Sequence, residues 1–158
     1  MPNQHHCINL SYLESIAEGD KGIIDELITI FLEQIPEFTE GLDQSFAKKR
    51  WLDVAAIAHK AKSSVVSMGM EELGNRDLKN LELSAKELHV KEIQKKNNPT
   101  PEEEKEAQQL ERNLKGYDQE RQDWIKGNAS PETIASIIKR FKDKLQQAEE
   151  ELKTETDK

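Results

Sequence analysis

The feature that most constrains this chain is a run of apolar residues that recur every three or four positions through most of its length. Such spacing places the side chains on one face of an α-helix, whereas a half-buried strand would require strict alternation. The pattern is clearest in a long second helix, where its members are Ile24, Leu27, Ile28, Phe31, Ile35, Phe38 and Leu42. The sequence therefore predicts an all-α fold.

Residues that favour helix ends divide this pattern into separate elements. Ser11 can cap a short first helix, which Gly19-Asp20 would end, and Pro36 predicts a kink in the second helix. A third helix is expected over residues 50–68 and a fourth from about residue 71. Amphipathic helices joined by short links favour an antiparallel four-helix bundle.

The last helix is predicted to begin at Ser130-Pro131-Glu132, an N-cap residue followed by a favourable first turn. Before it, residues 95–128 look like an inserted helical segment, which opens on a breaker and is interrupted near Gly116. A single inserted helix along the bundle axis would reverse the direction of the last helix. Either the insert or the last helix would then occupy the fourth position, and the richer aliphatic stripe of the last helix favours the latter.

Length and charge limit the class of protein. The chain has 158 residues and a formal net charge of −8, which argues against a nucleic-acid-binding surface. A single cysteine and the lack of a secretory signal or of about 18 consecutive apolar residues predict a cytoplasmic protein without a membrane span. We expect one domain over residues 1–158, with a flexible N-terminus at 1–7 and a frayed tail at 153–158. His5, His6 and Cys7 are adjacent on that terminus and do not predict a metal site.

The third helix carries the candidate site. On a helical wheel, one face collects residues that should be buried, namely Val54, Ile57, Ala58, Ala61, Val65 and Met68. His59 falls nearly opposite, and the residues beside it are Leu52, Ala55, Ala56, Lys62, Ser63 and Val66. This outer face is small and partly apolar where a solvated helix would carry charges. It predicts a histidine that another protein can approach closely, with Leu52, Ala55, Ala56, Ser63 and Val66 as the docking residues.

The chemistry of these side chains agrees with that placement. A neutral imidazole is a nucleophile near physiological pH. Phosphoryl transfer asks a protein mainly for positioning and charge stabilisation, and Lys62, one turn from His59, can place a positive charge near phosphoryl oxygens. No nucleotide-binding loop is present, so autonomous kinase activity with ATP is not expected.

The same residues resemble a known family. The segment Ala58-His59-Lys60-Ala61-Lys62-Ser63-Ser64, followed by Met68-Gly69-Met70, is similar to the motif of histidine phosphotransfer (HPt) domains. The resemblance covers roughly residues 8–87, and the last helix more loosely. It implies a four-helix bundle in which His59 is the phosphoryl acceptor and Lys62 the supporting lysine.

The resemblance also implies a role. Such proteins relay phosphoryl groups between the aspartates of response regulator receiver domains, and a hybrid sensor histidine kinase stands upstream. They need no cofactor of their own, because the partner receiver supplies a divalent metal such as Mg²⁺, and they are usually monomeric. Where the family commonly has glycine after the lysine, this chain has Ser63, which we expect to tune rate or partner choice. The alternative is a non-phosphorylated helical adaptor that binds or sequesters a receiver or kinase.

Overall fold

The structure, a computed structural model, describes residues 7–156, and most of these residues are helical. The helices are α1 (Ser11–Ile16), α2 (Lys21–Ala47), α3 (Trp51–Ser67), a π-helical segment (Leu73–Leu78) that continues into α4 (Lys79–Lys95), α5 (Pro101–Leu114), α6 (Gln119–Asn128) and α7 (Pro131–Thr156). No strand occurs in this part of the chain. The prediction of an all-α fold is confirmed.

Local capping explains where the helices begin. The Asp20 carboxylate accepts the backbone N–H groups of Gly22 and Ile23 at 2.9 and 3.3 Å, which starts α2. The hydroxyl of Ser130 accepts the N–H of Thr133 at 3.2 Å at the start of α7, as its position in the sequence predicted. These side chains supply acceptors for donors that a helix leaves unpaired at its first turn.

The end of α3 depends on a glycine. Gly69 has a φ of +86°, a left-handed conformation that glycine adopts at little cost, and its N–H donates to the carbonyl of Val66 at 2.9 Å. A Cβ at this position would collide with the backbone of Asn9. Gly69 therefore allows both the turn from α3 towards α4 and the close passage of the N-terminal segment.

Four helices, α2, α3, α4 and α7, contribute most of one main core, to which α1 adds Leu13 and the π-helical segment adds Leu73 and Leu78. Phe46 packs edge-on against Trp51 across the turn from α2 to α3, with ring centroids 5.6 Å apart. The ammonium of Lys142 lies 2.8 Å from the carboxylate of Asp43, and this ion pair joins α7 to the far end of α2. The residues of α7 buried in the core are Ile134, Ile138, Phe141, Leu145, Ala148 and Leu152. The last helix thus takes a place beside α2 and α4.

The inserted segment forms two helices rather than one interrupted helix. The break falls at residues 115–118, where Gly116 was expected to weaken the helix, and α5 and α6 each pack against α4. We call the two helices and their link the α5–α6 hairpin. The second inserted helix brings the chain back to α4, where the ammonium of Lys91 donates to the carbonyl of Lys126 at 3.1 Å, and α7 then packs beside α2 and α4. The α5–α6 hairpin and α4 share two small apolar clusters that are separate from the main core.

Because of this hairpin, α4 is buried on two sides. Its inner side contributes Leu81, Ala85 and Leu88 to the main core, and its outer side packs Leu83, Val90 and Ile93 against the hairpin. Each fully buried aliphatic side chain stabilises the fold by about 1.5–3 kcal/mol in transfer terms. The hairpin is therefore fixed along most of the length of α4.

The N-terminal end of the described chain packs against α7. The backbone N–H groups of Cys7 and Ile8 donate to the carboxylate of Glu151, at 3.1 and 3.3 Å, and Cys7 is half-buried with its sulfur 3.3 Å from that of Met70. Burial, with the nearby negative charge of Glu151, raises the pKa of the Cys7 thiol. Residue 7, expected at the edge of a flexible terminus, is packed against the bundle, whereas residues 1–6 lie outside the described residues.

The C-terminal end of the described chain belongs to the last helix. Helix α7 continues to Thr156, and residues 157 and 158 lie outside the described residues. Within residues 7–156, no helix has the length and apolar character needed to cross a membrane.

Candidate functional site

His59 stands on the outer side of α3. Its side chain is 71% exposed, while Ala58 and Ala61 on the same helix are completely buried. Most of the face that was predicted to be buried is buried. Its buried residues are Val54, Ala58, Ala61, Val65 and Met68, and Ile57 is partly buried at its edge. The helix therefore presents this histidine to the solvent.

One carboxylate fixes the imidazole. The Nδ1 atom of His59 lies 3.2 Å from Oε1 of Glu82, which projects from α4 with a side chain only 5% exposed. An ionised carboxylate has no proton to donate, so the bond requires Nδ1–H of His59 to be the donor. In the neutral ring this leaves the lone pair on Nε2, and the exposed side chain gives another protein access to that nitrogen.

Two lysines keep Glu82 ionised. The ammonium of Lys86 lies 2.8 Å from Oε2 of Glu82, and that of Lys79 lies 3.9 Å from Oε1. Burial favours the neutral acid, but the hydrogen bond and charge of Lys86, the charge of Lys79 and the hydrogen bond of His59 outweigh it. The pKa of Glu82 is therefore held below its usual range. The acceptor of the Nδ1–H bond is a carboxylate at neutral pH.

Glu82 is a site residue that sequence reasoning missed. The sequence does contain a signal for Glu82, because this acidic residue lies between Leu81 and Leu83, and both of these leucines are buried. Lysines three positions before it and four positions after it lie on the same helical face. A buried carboxylate flanked in this way is usually paired, and the histidine across the helix interface is its third partner.

Lys62 lies one turn from His59 and is partly buried. Within residues 7–156, no carboxylate forms an ion pair with it. The neighbouring Lys60 instead pairs with Glu37 of α2 at 2.8 Å. Of these two lysines on α3, Lys62 is the one whose charge is free for a bound group.

The structure corrects one member of the predicted docking surface. Ala55 is only 2% exposed and belongs to the main core, because α3 is covered by α2 on one flank and by α4 on the other. Leu52 and Val66 are partly exposed, and Ala56 and Ser63 are exposed. Ala56, Leu52, Ser63 and Val66 remain available around His59, and we call them the α3 surface.

A shallow groove extends the α3 surface towards α1. Its lining residues are Asn9, Ser11, Tyr12, Ser63, Val66, Ser67, Gly69 and Glu71. Tyr12 is 56% exposed, an unusual state for a large aromatic side chain. The sequence places Tyr12 in the first helix but does not connect it with the site, because neither segment alone shows that residues of α1 and α3 line one groove.

The other histidine of the described chain has a different environment. His89 on α4 has its Nε2 atom 2.6 Å from the carboxylate of Glu106 on α5, and its side chain is 24% exposed. This contact joins the hairpin to α4. Among residues 7–156, no three His, Cys, Asp or Glu side chains are grouped so that they could hold a metal ion.

Comparisons with protein-family models, with curated proteins and with solved structures found no match to this chain. The candidate site is therefore defined by its own geometry. Its central elements are an exposed imidazole, a buried carboxylate on Nδ1 and lysines on both sides.

Proposed function

We propose that the protein is a phosphohistidine carrier that accepts a phosphoryl group on His59 and passes it on. The observation that carries this proposal is the pairing of an exposed imidazole with a buried carboxylate. An imidazole fixed by a carboxylate through one nitrogen presents the other as a nucleophile.

The transfer step balances without a proton acceptor. The Nε2 lone pair attacks the phosphorus of an aspartyl phosphate, the N–P bond forms, and the P–O bond to the aspartate breaks with release of its carboxylate. The ring keeps its proton on Nδ1 and becomes positively charged, and the adjacent Glu82 carboxylate stabilises that charge. Transfer to a second aspartate reverses these steps, so the carrier is unchanged after each cycle.

Lysines supply the charge that the phosphoryl oxygens require. Lys62 is placed one turn along α3 with an unpaired ammonium among the described residues. It can move towards a phosphoryl group on Nε2 while Lys86 and Lys79 continue to neutralise Glu82. Without those two lysines, a dianionic phosphoryl group would stand close to an uncompensated carboxylate.

The fold supports the same proposal. We infer that α2, α3, α4 and α7 form a four-helix bundle of the HPt type, with the α5–α6 hairpin inserted before its last helix. The partners would be receiver domains, which dock on the α3 surface and bring their own divalent metal, and a hybrid sensor histidine kinase. Small side chains at Ala56 and Ser63 would allow the receiver backbone to approach His59.

A transfer assay tests this function. Purified protein is incubated with a labelled phospho-receiver from the same cell, beside the variants His59→Gln and His89→Gln. Acid-labile, base-stable label on the wild type and on His89→Gln, and none on His59→Gln, is the expected result. Absence of label with every receiver, together with intact receiver binding by His59→Gln, would overturn the carrier and support the adaptor.

A further inference from the structure

Tyr117 connects the inserted hairpin to the candidate site. It lies in the link between α5 and α6, and its ring is 5.4 Å from the ammonium of Lys79 on α4, within the range of a cation–π contact. The guanidinium of Arg121 lies 5.6 Å from the same ring. The hairpin thus places an aromatic ring against a lysine of the bundle.

Lys79 is the residue through which this contact reaches His59. Its ammonium is 3.9 Å from Oε1 of Glu82, the same oxygen that accepts the Nδ1–H of His59. The Lys79 side chain is only 21% exposed, so solvent screens its charge incompletely. Tyr117, Lys79, Glu82 and His59 therefore form a continuous series of contacts from the hairpin to the imidazole.

The position of the Tyr117 ring is fixed by the hairpin itself. The side-chain amide of Gln122 donates to the backbone carbonyl of Tyr117 at 2.6 Å, which holds the link against α6. Leu114 and Ile125 pack on Leu83, the residue next to Glu82 in α4, and Tyr117 contacts this cluster. A change in the hairpin's position would move the ring relative to Lys79.

We propose that the α5–α6 hairpin is a positioning element for the phosphoryl-accepting site, in which Tyr117 holds the ammonium of Lys79 beside Glu82 and His59. This role rests on the proposed function of His59. The inserted hairpin would set how firmly a positive charge is held near the phosphoryl acceptor. Tyr117 is a positioning residue and does not touch the phosphoryl group.

The first test is independent of phosphoryl transfer. The charged groups that the structure places against Glu82 are Lys79, Lys86 and His59. Carbon-13 NMR of the side-chain carboxyl of Glu82, followed against pH, would be compared in Tyr117→Leu, Tyr117→Phe and Arg121→Gln. Loss of the ring should raise the pKa of Glu82, whereas Tyr117→Phe keeps the contact and Arg121→Gln removes a cation that does not reach Glu82.

A double-mutant cycle separates positioning from general loss of structure. Lys79→Met should raise the pKa of Glu82 by itself, and Tyr117→Leu should then add nothing further. An unchanged titration in Tyr117→Leu, or an equal shift from Tyr117→Leu in the Lys79→Met background, would overturn the proposal. Circular dichroism measures the helical content of each variant and identifies one that has lost its fold. If Tyr117→Leu is unfolded, Lys79→Met still tests whether Lys79 affects the pKa of Glu82.

The second test measures transfer from a phospho-receiver to His59. Tyr117→Leu should slow it about two- to fivefold, the effect of one cation–π contact, with Tyr117→Phe close to wild type. A shifted titration with an unchanged transfer rate would overturn the positioning role. A shifted titration with no label on wild-type His59 would instead overturn the proposed function and leave the contact between hairpin and Glu82 established.

Discussion

Glu82 and His59 are 23 residues apart in the chain, on adjacent helices, and the single carboxylate of Glu82 binds the imidazole through one oxygen and Lys86 through the other. The exposed nucleophile is thus oriented by a residue that is itself almost completely buried. This separation of roles makes the geometry testable, because Glu82 can be changed without altering the surface that a partner would contact.

The tautomer of His59 should depend on Glu82. In the wild type at alkaline pH, nitrogen-15 NMR should show the neutral ring protonated on Nδ1, because that nitrogen donates to the carboxylate. In Glu82→Gln we expect a larger fraction of the Nε2–H form, which places a proton on the attacking nitrogen. Transfer should slow about tenfold or more, since a hydrogen bond to a charged group contributes about 1.5–3 kcal/mol.

The matched control for that variant is Glu87→Gln, which neutralises a carboxylate on α4 near the hairpin and away from His59. It should leave the tautomer and the transfer rate unchanged. The same tautomer mixture in wild type and Glu82→Gln would contradict the assigned hydrogen bond.

Acid should reveal the contribution of Glu82 to stability. Its pKa is lower in the folded protein than in an unfolded chain, where a glutamate titrates at about 4.3. A carboxyl group with a depressed pKa stabilises the fold above the unfolded-state value, and this contribution is lost as pH falls through the folded-state value. Urea unfolding at a series of pH values should show a steeper loss of the free energy of unfolding below about pH 4.3 in the wild type than in Glu82→Gln. If the free energy of unfolding falls equally steeply with decreasing pH in the wild type and in Glu82→Gln, the pairing does not stabilise the fold.

Lys62 should affect transfer more than stability. Replacing it with methionine keeps most of the aliphatic length and removes a charge that has no ion-pair partner within residues 7–156. We expect transfer to slow about fivefold, the effect of roughly 1 kcal/mol of lost charge stabilisation, with an unchanged melting temperature. Lys60→Met is the control, since Lys60 is engaged by Glu37. An equal effect of both changes would mean that only the net charge of α3 matters.

Gly74 controls how closely the π-helical segment before α4 approaches α3. A Cβ at this position would lie 2.5 Å from Cγ2 of Val66 and 3.0 Å from the carbonyl oxygen of Lys62. We expect Gly74→Ala to lower the free energy of unfolding by about 1–3 kcal/mol through overpacking. Chemical denaturation checks this, with Gly127→Ala as control because nothing lies within 4 Å of a Cβ there. The control should be neutral or slightly stabilising. A neutral result for Gly74→Ala would show that the helices separate without cost.

Periodicity predicts faces well in this chain. The second helix buries Ile28, Phe31, Ile35, Phe38 and Leu42, all members of its apolar stripe, and the third helix buries most of the face opposite His59. These outcomes follow from local spacing alone, which is why they could be predicted. The exposed position of His59 could be predicted for the same reason.

What covers a face cannot be predicted from local spacing. Ala55 lies at the margin of the buried face, and its burial depends on how closely neighbouring helices pack against α3. The pairing of Glu82 with His59 depends on the register between α3 and α4, which the two helical patterns do not fix. Leu83, Val90 and Ile93 form a second apolar stripe on α4, and that signal could have predicted a partner on its outer side.

The two inserted helices begin and end near the same end of α4. The last turn of α6 lies near the end of α4, where the ammonium of Lys91 donates to the carbonyl of Lys126 at 3.1 Å. The chain therefore leaves and re-enters the main core at nearly the same point. A short loop could join α4 to α7 across the same gap, but it would expose Leu83, Val90 and Ile93 and remove Tyr117 from Lys79.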